Sequence, residues 1–298
     1  TDERLTLKKL TPLVQAESAI VRLAALRTLQ QHPAEGRFEL FSQVATDKNR
    51  SVAERAAAIL GLSHKADQRT NLLVDLAVSD SQSLRSEALR ALINVSLNAN
   101  QARRIKAMRS EHPEHDQEVQ RLLEGASQLR SAKRSVDDWL NATKAPGQAT
   151  VGRRVFFSPK LGACYTCHQF NGRGKRVGPD LTPIGQSNNR RQLLESLVEP
   201  NAEVAPQYET WLIQPKDGPT QMGMTLHKFS GREVYRLASG DKFSIATSNI
   251  KSSKPLGRSI MPPGLLSQMT DEEVRHLLQY LLEESKSSPP STQRNSGN

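Results

Sequence analysis

Two cysteines are all that the 298-residue chain contains, Cys164 and Cys167. After His168 the next histidine is His227, with no second one close by, so the ligands fall short of the four that structural zinc requires. Aromatic residues are scarce too, at 4%; a large flat cofactor would supply the core volume they leave unfilled. No stretch of about 18 apolar residues occurs, so no transmembrane segment is expected. The start of the chain lacks a basic-then-apolar leader, and Thr1 reads as a processed end or as the edge of a piece of something longer. Acidic excess is absent as well: the formal net charge is +10, which suits an acidic partner, an anionic membrane face or nucleic acid. The basic pairs (Arg103-Arg104, Lys133-Arg134, Arg153-Arg154, Arg190-Arg191) are scattered and not interleaved with aromatics. That favours a solvated basic surface over nucleic-acid binding.

What is present begins with a repeat. "VRLAALRTL" (21–29), "VAERAAAIL" (52–60) and "LRSEALRAL" (84–92) align without gaps, keeping Ala25, Ala56 and Ala88 in register with Leu29, Leu60 and Leu92. Apolar residues recur at three- and four-residue steps within each copy, which predicts helices with one buried face. Second apolar runs, "FELFSQVA" (38–45) and "NLLVDLAV" (71–78), lie between the copies, preceded by breakers such as Pro33 and Gly61. Two helices per unit with small residues at their contacts is the logic of an α-solenoid. Over residues 15–125 the pattern resembles the short class of HEAT-like repeats. His112 and His115, in "EHPEHDQ", read as a solvated inter-helix loop in preference to a metal pair. Trp139 reads as packing at the junction, before the small polar linker "NATKAPGQAT" (141–150).

The chemistry lies in "CYTCH". A redox dithiol normally follows a strand and opens a helix; here "VGRRVFF" (151–157) reads as helix and the exit is glycine-rich. A c-type haem needs two cysteines three apart and a histidine immediately after, and Cys164, Cys167 and His168 supply that order. One covalent haem c, with His168 as proximal iron ligand, is therefore expected. Gly152 and Phe156 share a helix face on which a second helix can approach. That partner is the last helix, "TDEEVRHLLQYLLEE", with a capping box at Thr270 and Glu273, a staple of Met269 with Val274, and an apolar stripe through Leu277, Leu278 and Leu281. The two helices would bracket the haem. A third helix, "NNRRQLLESLVE" (188–199), ends at Pro200.

Candidates for the distal ligand are Met222, Met224, His227, Met261 and Met269, with an open sixth position as the alternative. Met261 stands in "SIMPPG", where the following prolines stiffen an extended loop that can aim a thioether. Met222 and Met224 share one face of an expected strand and read as core. Alternating segments between 204 and 254 predict a small β-meander, in which Tyr208 and Trp211 are packing residues or haem-propionate donors. The tail after Glu284 is too polar to fold.

In this order, "GRRVFF", "CYTCH", "GPDLTPIG", "LLESLVEPNAEV", "SIMPPGLL" and "LLQYLL" resemble a planctomycete-type haem-binding family of c-type cytochromes, from about Trp139 to Leu282. The resemblance implies that a backbone carbonyl, here that of Pro179, orients the proximal imidazole, and it selects Met261 as distal ligand. It also implies a β insert, preceding HEAT-like repeats, and export from the cytoplasm to the periplasm or beyond. The expected fold class is mainly α: a HEAT-like α-solenoid over 1–140, a linker over 141–150, a cytochrome c domain over 151–284 with the small insert, and a disordered tail over 285–298. The expected function is one-electron transfer from a dehydrogenase, fused or docked, to an acceptor cytochrome or oxidase, with acidic partners steered by the basic surface. Such a chain is an electron-transfer module more than a catalyst by itself. Two other readings stay open: a haem peroxidase or gas-reactive protein, and an interaction scaffold with structural haem.

Overall fold

The computed structural model describes residues 5–79, 81–125 and 134–287. The chain divides into two compact units, residues 1–131 with 158–160 and residues 132–157 with 161–298.

Among the described residues the secondary structure of the first unit is helical, with α1 (Leu7–Leu13), α2 (Ala19–Leu29), α3 (Arg37–Thr46), α4 (Val52–Leu62), α5 (Thr70–Ala77), α6 (Gln82–Ala91), α7 (Ala99–Glu111) and α8 (Asp116–Glu124). Helices α2, α4, α6 and α8 touch in succession, while α3, α5 and α7 pack on the members that follow them. The aligned alanines and leucines of the repeat are buried: Ala25, Ala56, Ala88, Leu29, Leu60 and Leu92. The leading apolar position behaves differently, with Val21 and Val52 exposed and only Leu84 buried. Gly61 lies inside α4 and is no breaker; a Cβ there would overlap the Phe41 ring, so its lack of one lets α3 seat against α4. The loop reading of His115 also needs correction. It is buried between Arg85, whose Nε donates to its Nε2 at 3.2 Å, and Glu118, which accepts from Nδ1 at 3.1 Å. Arginine only donates, so the ring's proton is on Nδ1.

The second unit starts with α9 (Val136–Ala142) and α10 (Ala149–Phe156), then a 3₁₀ turn at Cys164–Thr166 and a short hairpin of β1 (Gln169–Phe170) and β2 (Arg173–Gly174). Asn171 and Gly172 hold φ of 48° and 72° between those strands, as a tight hairpin turn demands. Helices α11 (Ile184–Ser187) and α12 (Arg190–Val198) follow, then β3 (Glu209–Pro215), β4 (Gln221–Phe229), β5 (Arg232–Leu237), β6 (Lys242–Ala246), β7 (Ile250–Ser259) and α13 (Asp271–Ser287). Trp139 is buried in α9, with the Arg134 guanidinium 4.1 Å from its ring centre.

The expectation of a mainly α chain with a small β insert is overturned. Strands β3 to β7 form one antiparallel five-stranded sheet in the order β6-β5-β4-β3-β7, and the chain is a mixed α and β structure, 53% helical and 15% strand. The reason lies in β7, which pairs back on β3 from Ser259 against Glu209 to Ile250 against Pro215. Its sequence, "IKSSKPLGRS", carries a proline, a glycine and three cations and so hides its strand character. An edge strand tolerates all of these, because one side of its backbone pairs with nothing in the sheet. As for the expected tail, residues 285–287 continue α13 and the remainder lies outside the described residues.

Helices α10 and α13 cross at a glycine. A Cβ on Gly152 would overlap the His276 carbonyl and stand 2.8 Å from Tyr280 Cβ, and one on Gly147 would stand 2.6 Å from the Arg275 carbonyl oxygen. Buried His276 also caps α10 from outside, its Nδ1 accepting from the Gln148 amide at 2.8 Å. The box at the start of α13 is formed, with Thr270 N donating to Glu273 Oε2 at 2.9 Å and Glu273 N to Thr270 Oγ1 at 3.2 Å.

Candidate functional site

Five of the chain's few aromatic rings gather behind the cysteine motif. Phe156 of α10 meets Phe157, Phe170 and Tyr280 at ring-centre distances of 5.0, 5.9 and 5.8 Å, and Phe170 meets Tyr280 at 4.5 Å. Tyr165, inside the motif, stands 5.9 Å from Phe157. All but Tyr165 are buried. The motif thereby lies beside an apolar cluster whose rings come from the end of α10, β1 and α13.

The turn itself is tightly wound. Ala163 takes the left-handed conformation (φ 45°, ψ 42°), which turns the chain into the Cys164–Thr166 segment. Its carbonyl accepts from Thr166 N at 2.9 Å and Thr166 Oγ1 at 2.7 Å, and the Cys164 carbonyl accepts from His168 N at 2.8 Å. Residues 162–168 are all half-buried, so Cys164, Cys167 and His168 lie at one partly open seam. No disulfide joins the two thiols. Burial pushes the Cys164 thiol up to about 12, helped by the neighbouring Cys167 and opposed by a backbone hydrogen bond.

His168 is held on three sides. Its Nδ1 donates to the Pro179 carbonyl at 2.9 Å, since a carbonyl only accepts; Nε2 therefore carries the lone pair. Burial lowers the imidazole from its ordinary value and so favours the neutral ring, partly opposed by the Pro179 bond. The ring lies against Gly178: a Cβ there would stand 2.6 Å from Cε1, 3.0 Å from Nδ1 and 3.3 Å from Nε2. Gly174, at φ +99°, runs under the His168 carbonyl so closely that a side chain there would overlap it. Val177 N and Gly178 N both donate to the Cys167 carbonyl at 2.8 Å. Residues 174–179 form a strap over His168.

The structure thus brings Cys164, Cys167, His168 and Pro179 together. Met261 is half-buried in the turn after β7, its amide donating to Ser259 Oγ at 3.1 Å, outside that hydrogen-bonded cluster. Met269 is buried beside the motif: its Cε and Cys164 Sγ both border Gly162, 3.1 and 3.7 Å from where a Cβ would stand. Met224 is buried and Met222 is exposed on β4. Gly174 and Gly178 are site residues that the sequence reading passed over as part of a glycine-rich exit. Their sequence signal is the spacing of three glycines, Gly172, Gly174 and Gly178, within ten residues after His168, where a close-fitting backbone is needed.

Chemically, the turn offers two thiols and a neutral imidazole nitrogen to a group seated on the seam. Among the described residues, no three His, Cys, Asp or Glu side chains stand together as a metal-holding cluster. No protein-family model matches the chain, and no match is found among curated proteins.

Proposed function

We propose that the chain is a mono-haem c-type cytochrome that carries single electrons from a donor dehydrogenase, fused or docked, to an acceptor cytochrome or oxidase, outside the cytoplasm. The observation that carries this reading is the 2.9 Å bond from His168 Nδ1 to the Pro179 carbonyl, made within the turn that holds both thiols. The donor set fits covalent haem: two thiols three residues apart for thioethers, and an imidazole whose Nε2 is left for iron. Haem held in this way supplies an iron that gains and loses one electron. Cys164 and Cys167 would hold the ring, His168 the proximal position and Met261 the distal one. The Pro179 carbonyl keeps the proton on Nδ1 and raises the ligand's basicity. The buried aromatic wall keeps water from one side of the motif, and the half-exposed seam leaves the other accessible. The charge of +10 suits acidic donors and acceptors.

The test is production in a host competent for haem attachment, followed by intact mass and reduced-minus-oxidised spectra. The reading requires a covalent haem increment that Cys164→Ala combined with Cys167→Ala abolishes; an unmodified mass sinks it. Met261→Ala should turn the iron high-spin and lower its potential. An unchanged spectrum in that variant moves the distal ligand to another residue, and Met269→Ala is then the comparison.

A further inference from the structure

The strap over His168 does not stand alone. On its outer side it meets the five-stranded sheet, at the turn between β5 and β6. Lys175 Nζ donates to the Ser239 carbonyl at 3.1 Å. Gly240, at φ +93°, lies so close that a Cβ there would stand 3.4 Å from Val177 Cγ2 and 3.8 Å from Lys175 Cδ. The layers therefore run from the sheet turn to Lys175 and Val177, then to Gly178 and Pro179, then to the imidazole. The strap is also tied down at each step: Val177 and Gly178 donate to the Cys167 carbonyl, Pro179 accepts from Nδ1, and Gly178 lies against the ring.

We propose that residues 174–179 are a clamp fixing the plane of the His168 ring, with Gly178 as its positioning residue, and that the sheet serves as the clamp's outer support. An imidazole pinned against a bare Cα has one orientation in which its Nδ1 proton meets the Pro179 carbonyl. A methyl group at 178 must push the ring or the carbonyl aside, because the nearest atoms belong to a ring that is itself held by that bond. This gives the sheet a role that neither its own small core nor the motif explains: it sets how firmly the histidine is aimed. The potential measured below rests on the haem reading; the clamp itself does not.

Three measurements test it. In the unsubstituted protein, nuclear Overhauser contacts should link the His168 ring protons to the Gly178 α-protons; their absence overturns the proposal whether or not any variant folds. Gly240→Val should speed amide exchange at Val177 and Gly178 by about tenfold relative to the amides of α13, through local opening of the strap; equal rates at those two amides remove the sheet from the proposal. Gly178→Ala should keep covalent haem and raise the midpoint potential, because a weakened Nδ1 bond makes the ligand less basic. An unchanged potential with haem attached overturns the positioning role. If the wild-type protein takes up no haem, the electron-carrier reading fails while the Overhauser and exchange measurements still decide the clamp.

Discussion

At the scale of single residues, Glu54 is the carboxylate whose setting reaches furthest. It is buried at the start of α4, where it completes a capping box with Ser51 and meets the Arg22 guanidinium, with Nε at 2.5 Å. Burial by itself would raise its pKa, but the hydrogen bonds from Arg22 and Ser51 and the charge of Arg22 outweigh it and hold the pKa at about 2. A carboxylate depressed in the folded state lends stability above its unfolded value, near 4.5, and loses it as pH falls toward 2. Because the Arg22 end of the pair is part-exposed, the effect is on the order of 1 to 3 kcal/mol. Denaturant unfolding of Glu54→Gln should therefore be less stable than wild type at pH 7, with the gap closing toward pH 2. A gap that stays constant with pH would remove the charge from the account.

At the scale of elements, boundary chemistry decides. The box formed by Thr270 and Glu273 is buried, and Thr270→Ala should cost about 1 kcal/mol, read as a lower midpoint in urea with an unchanged slope. Most of what positions the site was legible in sequence at this level. Helix periodicity marked α10, α12 and α13, and Gly152 marked their closest crossing, because a small residue on an apolar stripe has few other uses. The strand β7 was not legible, since an edge strand answers to solvent on one side and carries Lys251, Lys254 and Pro255 where alternation was sought. The clamp glycines escaped for a different reason. Gly178 and Gly174 are set by what they touch, and no local periodicity encodes a contact with a ring ten residues back or a carbonyl six residues back. His115 illustrates the same limit in the helical unit: its neighbours in sequence are polar, and only folding places it between Arg85 and Glu118.

At the scale of the whole molecule, the excess of cations governs encounters. For the proposed carrier, electron-transfer rates with an acidic partner should fall steadily between about 0.01 M and 0.1 M salt, as the screening length shrinks from roughly 30 to 10 Å. Rates indifferent to salt would argue against electrostatic steering. The second unit has a further property that follows from the glycine crossing and the histidine cap. Gln148 and His276 are 128 residues apart along the chain, yet one hydrogen bond joins them. Closing so long a loop is entropically slow. The cysteine turn, the strap and the entire sheet thus lie within one long loop of backbone, closed where α10 and the residues before it meet α13. Opening of α13 would loosen the cysteine turn, the strap and the sheet together, so the cysteine motif depends on a helix that begins about a hundred residues downstream of it.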